Sequence, residues 1–315
     1  MLRFIVRRIL QAIPIFIGIT AIVFALANLA PGSPADVVAA AGNLPEAAYE
    51  ELKTALGLDK PLPVRYALWL GRLLHGDLGF SSNAHRQVWD LIGQRIGPSL
   101  LLAGTAILLA LTVGVALGVM AAYRPYSRWD NISSALSFIG VSTPNFFLSL
   151  LLIYIFAVRL GLLPAQGMYY TGHKSLSGLL LHLLMPASVL GLQMVGNFVK
   201  QTRNSMLTAL NEEYIKTARA KGLGEAAVVL RHALRNAWIP VVATLGMTVP
   251  TLVGGAVVTE QIFGWPGIGS LMVHSINTRD YNTIMGITVL VSLGVLAVNI
   301  VLDAVYSLLD PRIKV

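Results

Sequence analysis

Cysteine is absent from all 315 residues. Disulfides, thiolate metal centres and cysteine nucleophiles are excluded with it. Charge is scarce as well: Asp, Glu, Lys and Arg make up 12% of the chain, against roughly 25% in soluble domains. Apolar residues make up 55%, and mean hydropathy is +0.70. A chain this poor in charge, with long runs free of it, is an integral membrane protein. Phosphate-binding machinery is missing too. The nearest approach is GMYYTGHKS at 167–175, where His173 stands between Gly172 and Lys174. That insertion breaks the spacing by which backbone N–H groups and a Lys enclose a phosphate. No HExxH or GxSxG occurs, and the six histidines (75, 85, 173, 182, 232, 274) lack ligand spacing. No metal site and no nucleophile–base constellation is expected.

What is present are six stretches without Asp, Glu, Lys or Arg that are long enough to cross a bilayer. They predict helices near 9–30, 99–122, 134–158, 179–200, 237–259 and 283–307. A seventh uncharged run, QIFGWPGIGSLMVHSINT at 261–278, is short and rich in Gly, Pro and polar residues. It reads as an extracytoplasmic loop or a re-entrant piece, because broken backbone is tolerated only where protein or water covers it. The first run follows a basic start (Arg3, Arg7, Arg8) like a signal peptide, but its apolar length suits an uncleaved helix.

Lys and Arg set the orientation. With the N-terminus inside, 14 of the 23 fall on inside segments and 9 on outside ones. The net charge of +8 is then a topology signal and not a nucleic-acid footprint. Both termini are expected in the cytoplasm of a multi-pass protein. The expected organisation is a basic segment with the first helix (1–30), an extracytoplasmic helical segment (31–98), and a five-helix core (99–315) with a cytoplasmic loop at 201–236. Within the outer segment, PEAAYEELKTALG starts on Pro45, carries its acids early and stops at Gly57. PVRYALWLGRLLHG repeats that grammar. Sixty-eight residues leave little room for an independent core, so the segment is either a cap packed on the membrane part, with Tyr66 and Trp69 near the interface, or a docking surface for a soluble partner.

The inside loop is the unusual part. Seven Lys/Arg and three acids lie between Lys200 and Arg235. EEYIKTARAKG has acids first, bases late and Gly222 as terminator, an order that suits the helix dipole. A second helix restarts after Gly224 and leads into the fifth span. Two short helices joined at Gly222–Gly224 make an elbow, which can transmit a rigid-body push where a flexible linker cannot. Two acids, Glu260 and Asp303, lie at span edges. Either could serve transport or gating; alternatively, Glu260 lies among outer headgroups and Asp303 caps the last helix beside Arg312.

Tyr214-Ile215-Lys216-Thr217-Ala218-Arg219-Ala220-Lys221-Gly222-Leu223, followed by His232 to Pro240, resembles the signature loop of ATP-binding-cassette (ABC) importer permeases. More narrowly, the chain is similar to the first membrane subunit of di- and oligopeptide (nickel, glutathione) importers. PGSPAD (31–36), LGLDKPLPVRY (56–66), HGDLGFS (75–81), TEQIFGWPGIG (259–269), RDYNTIMG (279–286) and LLDPRI (308–313) extend the likeness over the whole length. One departure stands out: the family loop begins Glu-Ala-Ala, and this chain has Lys216-Thr217-Ala218, with Glu213 three residues earlier. The resemblance implies an all-α fold of the type I importer-permease class with six transmembrane helices, in a bacterial or archaeal cytoplasmic membrane. It implies a non-catalytic subunit that binds no cofactor of its own. Thr217, Ala218, Arg219, Ala220, Lys221, Gly222, Leu223 and Gly224 would seat in a cleft of a separate ATPase. Ala218 and Ala220 would be small because a partner surface comes close, and Arg219 and Lys221 would pair with its acids. ATP and Mg would be held by two ATPase subunits. The other partners would be a second, related permease subunit, an extracytoplasmic solute-binding protein and membrane lipid.

Two other readings compete. An ion-coupled secondary carrier would use Glu260 or Asp303 as its titrating site, but no half-to-half repeat is visible and the basic elbow has no task in it. A membrane-embedded enzyme lacks a catalytic constellation. Polarity within spans nominates Asn145, Gln193, Asn197 and Thr251, with Glu260, as pathway or gate residues.

Overall fold

The computed structural model describes residues 2–29, 45–55, 57–170 and 174–309. The PGSPAD stretch, Gly172 and His173, and residues 310–315 with Arg312 lie outside the described residues. The described chain is helical apart from one hairpin. Helices α1 (Leu2–Leu29), α2 (Glu46–Ala55) and α3 (Leu62–Leu74) precede the strands β1 (Phe80–Ser81) and β2 (Arg86–Gln87). Then come α4 (Val88–Tyr123), α5 (Arg128–Ser142), α6 (Asn145–Leu152), α7 (Leu176–Leu210) and α8 (Glu213–Ala220). A short α9 (Glu225–Ala227) runs through wider i→i+5 turns at Val228–Ala233 into α10 (Leu234–Ile262). The chain continues with α11 (Ile268–Asn277) and α12 (Tyr281–Leu309). The hairpin departs from the all-α expectation. Left-handed backbone at Gly79 (φ +87°) and His85 (φ +50°) brings two two-residue strands together, a segment too short for any periodicity to reveal.

Among the described residues, four helical segments are long and apolar enough to cross a membrane: Val6–Leu29, Val88–Tyr123, Leu176–Leu210 and Tyr281–Val305. A fifth crossing exists only if a bent pair is counted as one. The helix expected over 134–158 is that pair. Arg128–Ser142 and Asn145–Arg159 meet at a 107° bend. The cause is Pro144: it cannot donate to the preceding turn, and it holds Thr143 in extended backbone (φ −89°, ψ 123°). The helix expected over 237–259 lies within α10, 29 residues long.

The chain divides into two compact units, residues 1–97 with 270–300, and residues 98–269 with 301–315. In the first, Phe24 of α1 meets Tyr66 and Trp69 of α3 at ring distances of 5.5 and 5.7 Å, with Met285 and Val289 of α12 closing the cluster. Trp69 is buried in this core. Ser81 donates to the Asp280 carboxylate, which Thr283 also engages at 2.8 Å, so the hairpin is fixed to the start of α12.

The second unit is built around α7. Leu183, Ala187, Leu190, Met194, Val195 and Phe198 of that helix are buried against α4 and α10. Small residues set the spacing, as expected where lipid offers no hydrophobic drive between helices. A Cβ on Gly140 of α5 would stand 2.3 Å from the Leu192 carbonyl oxygen, and one on Gly114 of α4 would stand 2.6 Å from the Phe198 Cβ.

Candidate functional site

The elbow begins where α7 ends. Its α8 is short, and one side of it is apolar: Ile215 and Ala218 are buried with Met206, Ala209, Val228, Val229 and Ala233. Burial of that stripe holds α8 in place where propensity alone could not. The helix ends in a Schellman closure. The Leu223 amide donates to the Ala218 carbonyl, the Gly222 amide donates to the Arg219 carbonyl, and Gly222 adopts φ +77°. Gly224, in extended backbone, starts α9. The opposite side of the elbow is exposed: Thr217, Ala220, Lys221, Gly222, Leu223 and Gly224.

Two contacts within the chain bear on the expectation for this loop. Ala218 is 6% exposed and turned into the elbow's own core, so its small size is explained within the chain. Arg219 is bound by Glu225, Nε to Oε1 at 2.7 Å and Nη2 to Oε2 at 3.3 Å. The Glu225 carboxylate raises the guanidinium's pKa above its ordinary value through that hydrogen bond. Spacing of six residues hides such a pair from helix-face rules, since the chain turns between the partners. Among the described residues, Lys221 takes part in no ion pair.

A cleft of about 210 Å³ opens in the same unit. Val141 of α5, Leu190, Gln193, Met194 and Asn197 of α7, and Thr248 and Leu252 of α10 line it. Two nominated residues, Gln193 and Asn197, are thus brought together, one helical turn apart. Thr248 joins them and was missed: the run holds Thr244, Thr248 and Thr251, and polarity alone does not say which of them faces a cleft. None of the described lining residues is charged. Asn145 lies on the first turn of α6 and is not among the lining residues; its Oδ1 is buried without a hydrogen-bond partner. The side chain of Thr251 lies outside the described residues.

Glu260 is fully buried. Ser99 of α4 donates to its Oε1 at 2.5 Å and accepts from the Ile268 amide at 2.8 Å. Trp265, also fully buried, donates its amide to the Glu260 carbonyl and its indole N–H to the Pro98 carbonyl. A Cβ on Gly267 would fall 2.2 Å from the Glu260 carboxyl carbon. The turn between α10 and α11 therefore closes directly over the carboxylate, and Glu260 is positioned as its anchor. Asp303 is half-buried on α12. A pair that sequence reasoning missed lies nearer the elbow. Arg203 of α7 grips Asp130 of α5 bidentately at 2.7 and 2.9 Å, and the Tyr126 amide donates to the same carboxylate at 2.9 Å. These charges read from the sequence only as topology signals, 73 residues apart.

Residues 114–315 match the family described as "Binding-protein-dependent transport system inner membrane component". Residues 1–103 match its N-terminal counterpart. The oligopeptide transport system permease protein AppB of Bacillus subtilis is 39% identical over 316 residues, covering all of both chains. The dipeptide transport system permease protein DppB of Escherichia coli K12 is 36% identical over all of this chain and 99% of its own. Among solved structures, a chain of the inward-facing MetNI methionine ABC transporter superposes with a TM-score of 0.55 at 19% identity, covering 70% of this chain and 96% of that one. An amino acid ABC transporter gives 0.51 at 16% identity, covering 71% and 94%.

Proposed function

This chain belongs to the family of binding-protein-dependent transport system inner membrane components, and on that premise we propose that it forms half of the translocation pathway of an ABC importer for peptides or a related small solute. A second, related permease subunit supplies the other half. Two ATPase subunits hold ATP and Mg and do the hydrolysis, and an extracytoplasmic binding protein delivers the cargo. The chain itself is not an enzyme. Six helices cross the cytoplasmic membrane of a bacterium or archaeon, with both ends in the cytoplasm.

One observation carries this reading: the elbow and the cleft share α7. Asn197 and Gln193 sit on the helix whose last residue, Leu210, is separated from the start of α8 by Asn211 and Glu212 alone. At 1.5 Å per residue, Asn197 and Leu210 are roughly 20 Å apart along one rigid element. A push on the exposed face from Thr217 to Gly224 is passed by the elbow's buried stripe into α7 and so to the cleft wall. Ile215 and Ala218 keep α8 from swinging independently. Amide and hydroxyl groups on the wall can exchange hydrogen bonds with a peptide backbone, while the absence of charge leaves cargo side chains unread. The ion-coupled alternative needs a titrating group facing the cleft, and none of the described lining residues supplies one.

The absence of native cysteine makes a direct test possible. In the assembled importer, Asn197→Cys is expected to react with a small maleimide several-fold faster in one of two states, nucleotide-free or vanadate-trapped, than in the other. Leu230→Cys, exposed away from the cleft, is the control. Equal rates for the Asn197→Cys thiol in both states would remove α7 from the moving pathway.

A further inference from the structure

We infer that the first unit carries a binding site for the phosphate headgroup of a phospholipid, formed between α1, α3 and the start of α12. A cavity of about 720 Å³ lies there, and its lining includes Asn28, Arg65, Trp69, Arg72 and Tyr281. Arg65 and Arg72 are seven residues apart on α3, two turns along one face, so both guanidinium groups reach the same space. Lys60 adds a third cation to the lining, and no Asp or Glu is among the described lining residues. None of these three cations takes part in an ion pair among the described residues. The hydrogen-bond partner of Arg65 is a neutral amide, Asn28 Oδ1. Burial lowers the pKa of its guanidinium below the ordinary value. A partly desolvated cation facing an acid-free cavity calls for an anion, and planar arginine donors suit phosphate oxygens bidentately.

Three features point to a lipid as the source of that phosphate. Asn28 is one residue from the end of the apolar segment Val6–Leu29, so the cavity mouth lies where a membrane-crossing helix leaves the hydrocarbon. Helix α3 also carries exposed aliphatics: Leu62, Val64, Leu68 and Leu74 are 39, 45, 50 and 78% exposed. Aliphatic side chains left bare beside the cations suit a helix lying at the membrane interface, where acyl chains cover them. Finally, Phe24, Leu68, Trp69 and Met285 give the cavity an apolar wall. A free phosphate would leave that wall wet, whereas a glycerol and the first methylenes of a chain would cover it. The site depends on the membrane setting alone and is independent of the cargo.

The test uses the assembled importer in mild detergent, with phosphatidylglycerol as the probe and native mass spectrometry as the readout. Wild-type complex is expected to retain phosphatidylglycerol. Occupancy should fall about tenfold in Arg65→Gln with Arg72→Gln, the loss expected of a bidentate charged contact. Arg72→Gln alone, on the exposed rim, should lower it in part and guards against a folding failure of the pair. Lysine at both positions should bind more weakly than arginine and better than glutamine. Unchanged occupancy in the double variant would overturn the site. Displacement of the lipid by inorganic phosphate at equal concentration would overturn the lipid assignment and leave a plain anion site.

Discussion

Tryptophan in place of Ala220 is expected to abolish transport while the chain inserts at normal levels. The residue is exposed at the last turn of α8, so the isolated fold has room for an indole there. An ATPase seated on the elbow, as proposed, would leave none. A large side chain forced into a packed interface costs about 2 kcal/mol or more, which is roughly a 30-fold loss of affinity. Co-purification of the ATPase should fall with transport. The choice of residue matters. Ala218 lies in the elbow's own core, so a tryptophan there would damage the fold and report nothing about a partner. Gly222→Asp is mixed for another reason. Its Cβ would meet nothing within 4 Å, but its φ of +77° strains any larger residue by about 1 kcal/mol or more. Normal uptake by Ala220→Trp would mean that the exposed face only satisfies the inside charge preference and grips anionic lipid.

The second large effect is on stability. Gly140→Val is expected to prevent α5 from seating on α7. The new Cβ would lie 2.3 Å from the Leu192 carbonyl oxygen, a backbone atom with no rotamer to yield. The helices cannot separate to make room without opening the neighbouring approach, where a Cβ on Gly196 would stand 2.8 Å from the Ser137 carbonyl oxygen. Overpacking of this kind costs about 1–3 kcal/mol, and more where backbone must move. The thermal midpoint in detergent should drop and the yield with it. Gly104→Val, with nothing within 4 Å of its Cβ, is the matched control and should behave as wild type. An unchanged midpoint for Gly140→Val would mean that α5 and α7 do not approach at this glycine.

The elbow was legible in the sequence because its signals are local. Acids early, bases late and Gly222 at the end specify one short helix, and the structure ends that helix with the closure such a glycine permits. Long uncharged runs likewise marked α1, α4, α7 and α12, since transfer to lipid depends on composition alone. What was lost depends on shape or on distant partners. The run over 131–158 contains no charge, so hydropathy passes smoothly over Pro144 and hides a 107° bend. Glu260 looked like a charge at a span edge, yet its partner Ser99 is 161 residues away. The basic loop suggested a partner's acids for Arg219 and gave no sign of its pair with Glu225 in the same chain. Hydrophobic period says which face is buried but not whether its own chain or another covers it.

The most direct measurement is peptide uptake into proteoliposomes holding this chain, its second permease subunit and the two ATPases, with the binding protein supplied outside and ATP inside. Uptake should require ATP, stop when the ATPase subunits are omitted, and ignore an imposed proton or sodium gradient. The purified chain alone should hydrolyse no ATP. Uptake by this chain alone, driven by an ion gradient without nucleotide, would contradict the assignment and restore the ion-coupled carrier.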